Sequence, residues 1–342
     1  MALVLSVVLL LITFVQGNLQ CIDNDGQMVD WWYVQKSNHG TNYSYFDGSS
    51  TESKLTPSTT QTLTAGSNSC LERTLNQIYK NKKSVNYIGY NDENPNGTTS
   101  FTLGHSKGAL AFDDASKFEG GFWLIQAVPK FPDLTQPSYV FASNGEEYGQ
   151  NFLCISINSI TEINAIANQM RYISPYVLTY NNMNPTDNSI DNFSSVIKSE
   201  WLKGVSNVNI SSSAGMTFTH LTRSGDQNMD IQEDIISKYY SSGFDWETWP
   251  NESSFEDSYC TPKYPFDAQN IQKVTLGNGW YIYNDDDHSK YGVSTDKKNI
   301  VCSGDLNRAT SQNSRGGGYA CFVQPALYNA INGIISEVDT CK

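Results

Sequence analysis

The tripeptide His-Ser-Lys occurs twice in this chain, at His105-Ser106-Lys107 and His288-Ser289-Lys290, more than half of its 342 residues apart. Five residues and then an aspartate follow each copy, Asp113 after the first and Asp296 after the second. Each copy also comes soon after a segment that reads as a strand, 100–103 and 280–284. One such tripeptide is commonest in a solvated loop. Two in matched surroundings point to an internal duplication, and a duplicated chain folds as two alike units.

The remaining pattern fits two α/β units. Aromatic and β-branched runs at 29–36, 85–90, 100–112, 121–128 and 152–158 read as strands. Ser69 is placed to cap a helix reaching Tyr79, with Leu71, Leu75 and Ile78 on one face, and 160–172 repeats apolar residues at helical spacing. A stretch rich in Asn, Asp and Ser over 181–195 reads as a linker or long loop. Beyond it, 216–223, 280–284 and 299–304 read as strands, and 231–240 and 324–338 as helices, the last opened by Pro325. An uncharged apolar run over 1–17 reads as a signal peptide, too short and too early to count as a membrane span. No later stretch is apolar enough to cross a bilayer. The expected organisation is a leader at 1–17, an N-terminal half at 18–175 and a C-terminal half at 176–342.

Seven cysteines in a secreted chain imply disulfides with one thiol left over, and none are spaced Cys-x-x-Cys, so no zinc site is expected. Five Asn-x-Ser/Thr sequons, at Asn42, Asn96, Asn192, Asn209 and Asn251, fit the same route. The balance of 22 basic against 35 acidic side chains excludes a generic basic nucleic-acid coat protein. It leaves room for an enzyme with a local basic site, above all in an acidic compartment.

The chain has only four histidines, and two sit in the His-Ser-Lys units. In extended chain, residues two apart project to the same side, so each His-x-Lys presents an imidazole beside an ammonium group. If both units meet at one cleft, two imidazoles and two lysines surround a phosphate-sized point. The lysines would hold nonbridging phosphate oxygens, one neutral imidazole would attack phosphorus, and the other, protonated, would donate to the leaving alkoxide. No metal is needed for charge neutralisation, and the acid histidine favours a low working pH. His39, in a Gly/Asn-rich loop, reads as a surface residue, His220 as a structural strand histidine, and Trp31-Trp32-Tyr33 as core. The run Asp285-Asp286-Asp287 is either a solvated turn or an influence on His288.

At these residues the chain resembles the deoxyribonuclease II family. The segments that carry the resemblance are 29–32, 104–108, 121–125, 128–132, Tyr148-Gly149-Gln150 with Phe152-Leu153-Cys154, 287–290, 304–308 and Arg315-Gly316-Gly317-Gly318. They run in this order from about Cys21 to Cys341. The resemblance implies a phospholipase D-like pseudo-dimer of two mixed-sheet α/β halves sharing one central active site. It implies His105, Lys107, His288 and Lys290 as catalytic residues, with His105 as nucleophile and His288 as general acid or the reverse. It also implies the disulfides Cys21–Cys154, Cys260–Cys341 and Cys302–Cys321, leaving Cys70 as the odd thiol. Gly304-Asp305-Leu306-Asn307 is similar to a superfamily Gly-Ser-x-Asn, which makes Asn307, with Arg308, a possible phosphate ligand. Asp113 and Asp296 stand one residue further from their lysines than in the wider superfamily, and Gln126 stands where relatives carry a histidine.

The implied function is a metal-independent acid endonuclease acting on double-stranded DNA, leaving 3′-phosphate and 5′-hydroxyl ends through a phosphohistidine. It would act in the secretory pathway, lysosomal or secreted, as monomer or homodimer. The rivals are a catalytically silent secreted binding or immunomodulatory protein on the same fold, and a phospholipase D-type lipid hydrolase, for which no large apolar surface segment speaks.

Overall fold

The computed structural model describes residues 18–277 and 279–339. The expected leader lies outside them, as does the expected bond of Cys260, because its partner Cys341 is not among them.

The fold is mixed α/β, as expected, and it is built on two large sheets. In the first, the strands run Val177–Asn181, Asn86–Asn91, Lys107–Phe112, Gly121–Gln126, Gln150–Ile157, Trp31–Lys36 and Tyr43–Asp47, with the short strand Thr56–Pro57 at the edge. In the second the order is Val205–Ser211, Thr217–Arg223, Gly317–Val323, Ile300–Gly304, Tyr291–Ser294, Phe244–Glu247, Ala268–Thr275 and Tyr281–Tyr283. Each sheet contains an antiparallel three-strand meander that begins at a His-Ser-Lys unit and ends before a helix, Ile160–Ile173 in one and Pro325–Asn332 in the other. Each also places a strand from earlier in the chain, Asn86–Asn91 or Phe244–Glu247, on the free side of the meander's first strand.

Side-chain alternation explains why Trp31, Trp32 and Tyr33 are all buried. Successive strand residues face opposite sides of a sheet. Trp31 and Tyr33 enter a core that also holds Tyr291, Val301 and Phe322 of the second sheet, so the two sheets share one apolar interior. Trp32 and Val34 point the other way, against Leu71, Leu75 and Ile78 of the helix Cys70–Asn81. That helix begins as expected, with Ser69 Oγ accepting from the amide of Glu72. The disulfides Cys21–Cys154 and Cys302–Cys321 both form, and Cys70 is the buried free thiol among the described residues. His220 is buried edge-on against Trp123 with its pKa lowered by burial to about 3, whereas His39 is exposed.

Several expected elements are corrected. The expected strand 100–112 is regular only over Lys107–Phe112, so the first His-Ser-Lys leads into its strand and does not follow one; the second likewise leads into Tyr291–Ser294. Residues 100–106 are diverted because their amides find partners elsewhere, Gly104 on the carbonyl of Ser174 at the end of the helix Ile160–Ile173 and His105 on that of Gly316 in the other half. The expected loop 181–195 contains the helix Asp191–Ile197, which buries Phe193 and Val196. The expected helix 324–338 stops at Asn332, and Ile335–Asp339 becomes an edge strand beside Ala268–Thr275, where its β-branched residues fit. The segment 231–240 is a π-helix over Gln232–Ser237 followed by Lys238–Tyr240. Beyond the expected division at 175, the strand Val177–Asn181 still belongs to the first sheet. No described helix is long and apolar enough to cross a membrane.

Candidate active site

The two His-Ser-Lys units occupy equivalent places, each at the entry to the first strand of a meander, and each is held by the opposite half. The amide of His105 donates to the carbonyl of Gly316 at 2.9 Å, and that of His288 to the carbonyl of Gly149 at 2.9 Å. Gly316 and Gly149 stand just before matching strands, Gly317–Val323 and Gln150–Ile157. Behind the second unit, Gln35 Nε2 donates to Ser289 Oγ at 2.9 Å. Asn151 Oδ1 accepts from the Lys290 amide at 2.8 Å, and its Nδ2 donates to Ser303 Oγ at 2.8 Å. Nearly all of these contacts are buried, which gives the polar seam a single register.

The imidazoles differ in how they are fixed. His105 Nδ1 lies 2.7 Å from the carbonyl oxygen of Asp305. A carbonyl only accepts, so Nδ1 carries the proton and Nε2 keeps its lone pair. Nε2 faces Lys107 Nζ at 3.4 Å, the side-by-side projection that the His-x-Lys spacing predicts. Among the described residues none hydrogen-bonds to the His288 ring. Its ring is instead flanked by Trp249, with centroids 3.8 Å apart, and by Tyr148 at 4.6 Å.

The lysines differ too. Lys107 Nζ pairs with Asp92 Oδ1 at 2.5 Å, and Arg315 Nη2 reaches the other oxygen of Asp92 at 3.0 Å. Burial raises the Asp92 pKa, but Lys107, His105 and Arg315 together hold it well below the usual carboxylate range. Lys290 Nζ donates to the carbonyl of His288 at 2.6 Å and has no carboxylate within ion-pair distance among the described residues. Its pKa is lowered to about 7, first by burial and then by Lys107, against weaker pulls from Glu252, Asp287 and Asp92. Burial and Lys107 push His105 well below its ordinary value. Burial, Lys290 and Lys107 bring His288 to about 2. The strand Ile300–Gly304 links the two units: the Gly304 amide donates to the carbonyl of Lys290 at 2.9 Å, and the next residue, Asp305, holds the His105 ring.

Of the other sequence candidates, Asn307 and Arg308 face protein groups. Asn307 Oδ1 accepts from the Trp249 amide at 3.3 Å and its Nδ2 donates to Glu252 at 2.6 Å. Arg308 is buried, with Nη1 on Asn270 and Nη2 on the carbonyl of Asp257 at 3.0 Å. Asp113 receives the amides of Glu119 and Gly120, and Asp296 pairs with Lys298, so both serve turns. In the acidic run, Asp285 and Asp286 are exposed, while Asp287 is buried and caps the Ser289 amide at 2.9 Å. Gln126 closes a buried turn with the amide of Val128 and the carbonyl of Phe131. All five sequon asparagines reach solvent, Asn96, Asn209 and Asn251 fully and Asn42 and Asn192 partly. No group of three or more His, Cys, Asp or Glu side chains among the described residues is disposed to hold a metal ion.

Sequence reasoning missed Asp92, Asn151, Gln35 and Trp249. Each is a lone polar or aromatic residue in a strand or loop, and only the pairing of the sheets brings it to the site. Tyr148 and Arg315 did fall within the segments that carry the family resemblance.

A family model described as deoxyribonuclease II matches residues 20–341. The chain is 31% identical to cell death-related nuclease 6 of Caenorhabditis elegans, covering 94% of this chain and 89% of that protein. It is 30% identical to plancitoxin-1 of Acanthaster planci, covering 94% and 92%. It is 27% identical to deoxyribonuclease-2-alpha of Sus scrofa, covering 95% and 92%.

Proposed function

The chain belongs to the deoxyribonuclease II family, and from that premise we propose that it is an acid endonuclease that hydrolyses double-stranded DNA without a metal ion. The observation that supports this reading is that adjacent residues contact both units, Gly304 bonding the carbonyl of Lys290 and Asp305 the ring of His105.

Lys290, without a carboxylate of its own, and Lys107 take the nonbridging oxygens of the scissile phosphate. His105 is the nucleophile, because the Asp305 carbonyl keeps its proton on Nδ1, and the Nε2 lone pair, which faces Lys107, is released to attack when that ammonium turns to the phosphate. As the Nε2–phosphorus bond forms, the bond to O5′ breaks, and His288 gives its proton to that oxygen. The products of this step are a 5′-hydroxyl and a phosphohistidine. Water then attacks phosphorus, returns a proton to His288 and releases a 3′-phosphate as the phosphorus–nitrogen bond breaks.

The acidic optimum follows from the same charges. The lysines disfavour the imidazolium form of His288, so it is populated only when a phosphate anion enters and protons are abundant. An acidic compartment of the secretory route, a lysosome or a secreted fluid, meets that need. The formed disulfides suit such a location.

The test is cleavage of supercoiled plasmid at about pH 5 with EDTA present, followed by end-group analysis. EDTA-resistant nicking with 3′-phosphate ends is the expected result. A requirement for a divalent ion, or 5′-phosphate ends, overturns the reading. DNA binding with no product at any pH would support the binding-protein alternative.

A further inference from the structure

We infer that Trp249 and Tyr148 are positioning residues that pack together against the His288 ring and favour its protonated form, so that it can serve as the acid. The inference rests on the proposed role of His288.

The geometry is specific. The His288 centroid lies 3.8 Å from that of Trp249 at an interplanar angle of 55°, and 4.6 Å from that of Tyr148 at 31°. The two aromatic rings also meet each other at 5.0 Å and 85°. They arrive from different parts of the chain. Tyr148 precedes the strand Gln150–Ile157, and its neighbour Gly149 accepts the His288 amide. Trp249 follows the strand Phe244–Glu247, and its amide is tied to Asn307. Asn307 in turn holds Glu252 at 2.6 Å, so this asparagine anchors the loop that carries the tryptophan.

The charged groups around His288 make the arrangement meaningful. The ammonium groups of Lys290, on its own segment, and of Lys107, on the facing half, both oppose its protonation. No carboxylate of the described residues lies within ion-pair distance of its ring. Tyr148, from a third element, contributes a neutral ring. The face of an aromatic ring attracts a cation without accepting a hydrogen bond. It can therefore favour the imidazolium while leaving both ring nitrogens free, one to give its proton to the departing oxygen and to recover one from water. His105 shows the contrasting solution, in which a carbonyl on Nδ1 fixes a single tautomer for attack.

The experiment compares Trp249→Leu, Tyr148→Leu and Trp249→Phe in the whole protein. The rate is followed against pH on DNA, whose leaving group is an alkoxide, and on a p-nitrophenyl phosphodiester, whose leaving group needs little protonation. For Trp249→Leu the expected result is a kcat on DNA lowered about tenfold, with the basic limb of the profile moved about one pH unit toward acid. KM and the p-nitrophenyl rate stay near the parent values, and Trp249→Phe retains most of the activity. An unmoved profile in folded Trp249→Leu and Tyr148→Leu overturns the inference. So does a rise in KM on DNA alone, which would assign the rings to base stacking, or an equal loss on both substrates. Should Trp249→Leu not fold, Trp249→Phe and Tyr148→Leu still decide it, through the His288 titration followed by NMR. His288→Ala separates the two readings: if it keeps full activity the parent mechanism fails, whereas a dead His288→Ala beside an unshifted Trp249→Leu removes only this inference.

Discussion

The amide of His105 donates to the carbonyl of Gly316, and the same bond recurs in reverse between His288 and Gly149, both at 2.9 Å. Each half thus clamps the other half's His-Ser-Lys unit by main-chain contact. Main-chain clamps fix the position of a side chain's root independently of its chemistry, so the site is set by how the sheets pack.

Gly316 has no room for a side chain at that clamp. A Cβ there would stand 2.1 Å from the carbonyl oxygen of Ile173 and 2.8 Å from its carbon. Gly316→Ala must push the 316 segment off the helix end and carry the His105 contact with it. It is expected to cut kcat by about a hundredfold and to lower the melting temperature by several degrees. Calorimetry and a plasmid-nicking assay check both.

Removing either catalytic imidazole ought to leave little for the other to do. His105→Ala and His288→Ala are each expected to lose at least about a thousandfold in kcat on DNA, and the double variant little more than either single one. Additive losses would mean that the two rings act independently.

The lysines predict an asymmetry in stability. Lys107 is buried and paired with Asp92, so Lys107→Met leaves that buried carboxylate with Arg315 alone and is expected to cost about 3 kcal/mol. Lys290→Met removes a buried cation that has no carboxylate partner among the described residues, and is expected to be neutral or stabilising while abolishing turnover. Urea unfolding of the two variants beside the parent protein separates the cases.

Two buried carboxyls favour acid. Burial raises the carboxyls of Asp305 to about 7 and of Asp287 to about 6, both above the unfolded value. A carboxyl raised in the folded state contributes stability that is full below its unfolded pKa and is lost as pH climbs through the folded one. Between about pH 4 and 7 these groups therefore lose stability as pH rises. Asp92 has the opposite sign, because its depressed pKa costs stability only as pH falls below the usual carboxylate range. The buried histidines, His220 and His288 among them, act the other way below about pH 6.5, because their pKa values are depressed. The carboxyl effect is therefore read by difference: Asp305→Asn is expected to gain melting temperature relative to the parent as pH rises from about 5 to 7, and a pH-independent difference would contradict the buried-carboxyl assignment.

Local order in this chain was legible from local sequence. Ser69 before Leu71, Leu75 and Ile78 is enough to start the helix Cys70–Asn81, because a cap and an apolar stripe act within a few residues. The spacing of His105 and Lys107 likewise dictates that imidazole and ammonium stand side by side. The segment 324–338 was misread for the converse reason: its β-branched end is a strand only because Ala268–Thr275 offers an edge to pair with.

By itself the sequence determined the kinds of groups available to the chemistry, their pairing within each tripeptide and the existence of two copies. Tertiary structure alone decided which histidine is fixed as the Nδ1-protonated tautomer, which lysine has a counterion and which rings pack against His288. Those properties depend on Asp305, Asp92 and Trp249, brought beside the tripeptides by sheet packing from positions that no periodicity connects to them. Electrostatic and hydrogen-bond energies fall off over a few ångströms in space, and proximity in space is what the order of residues along a chain leaves undetermined.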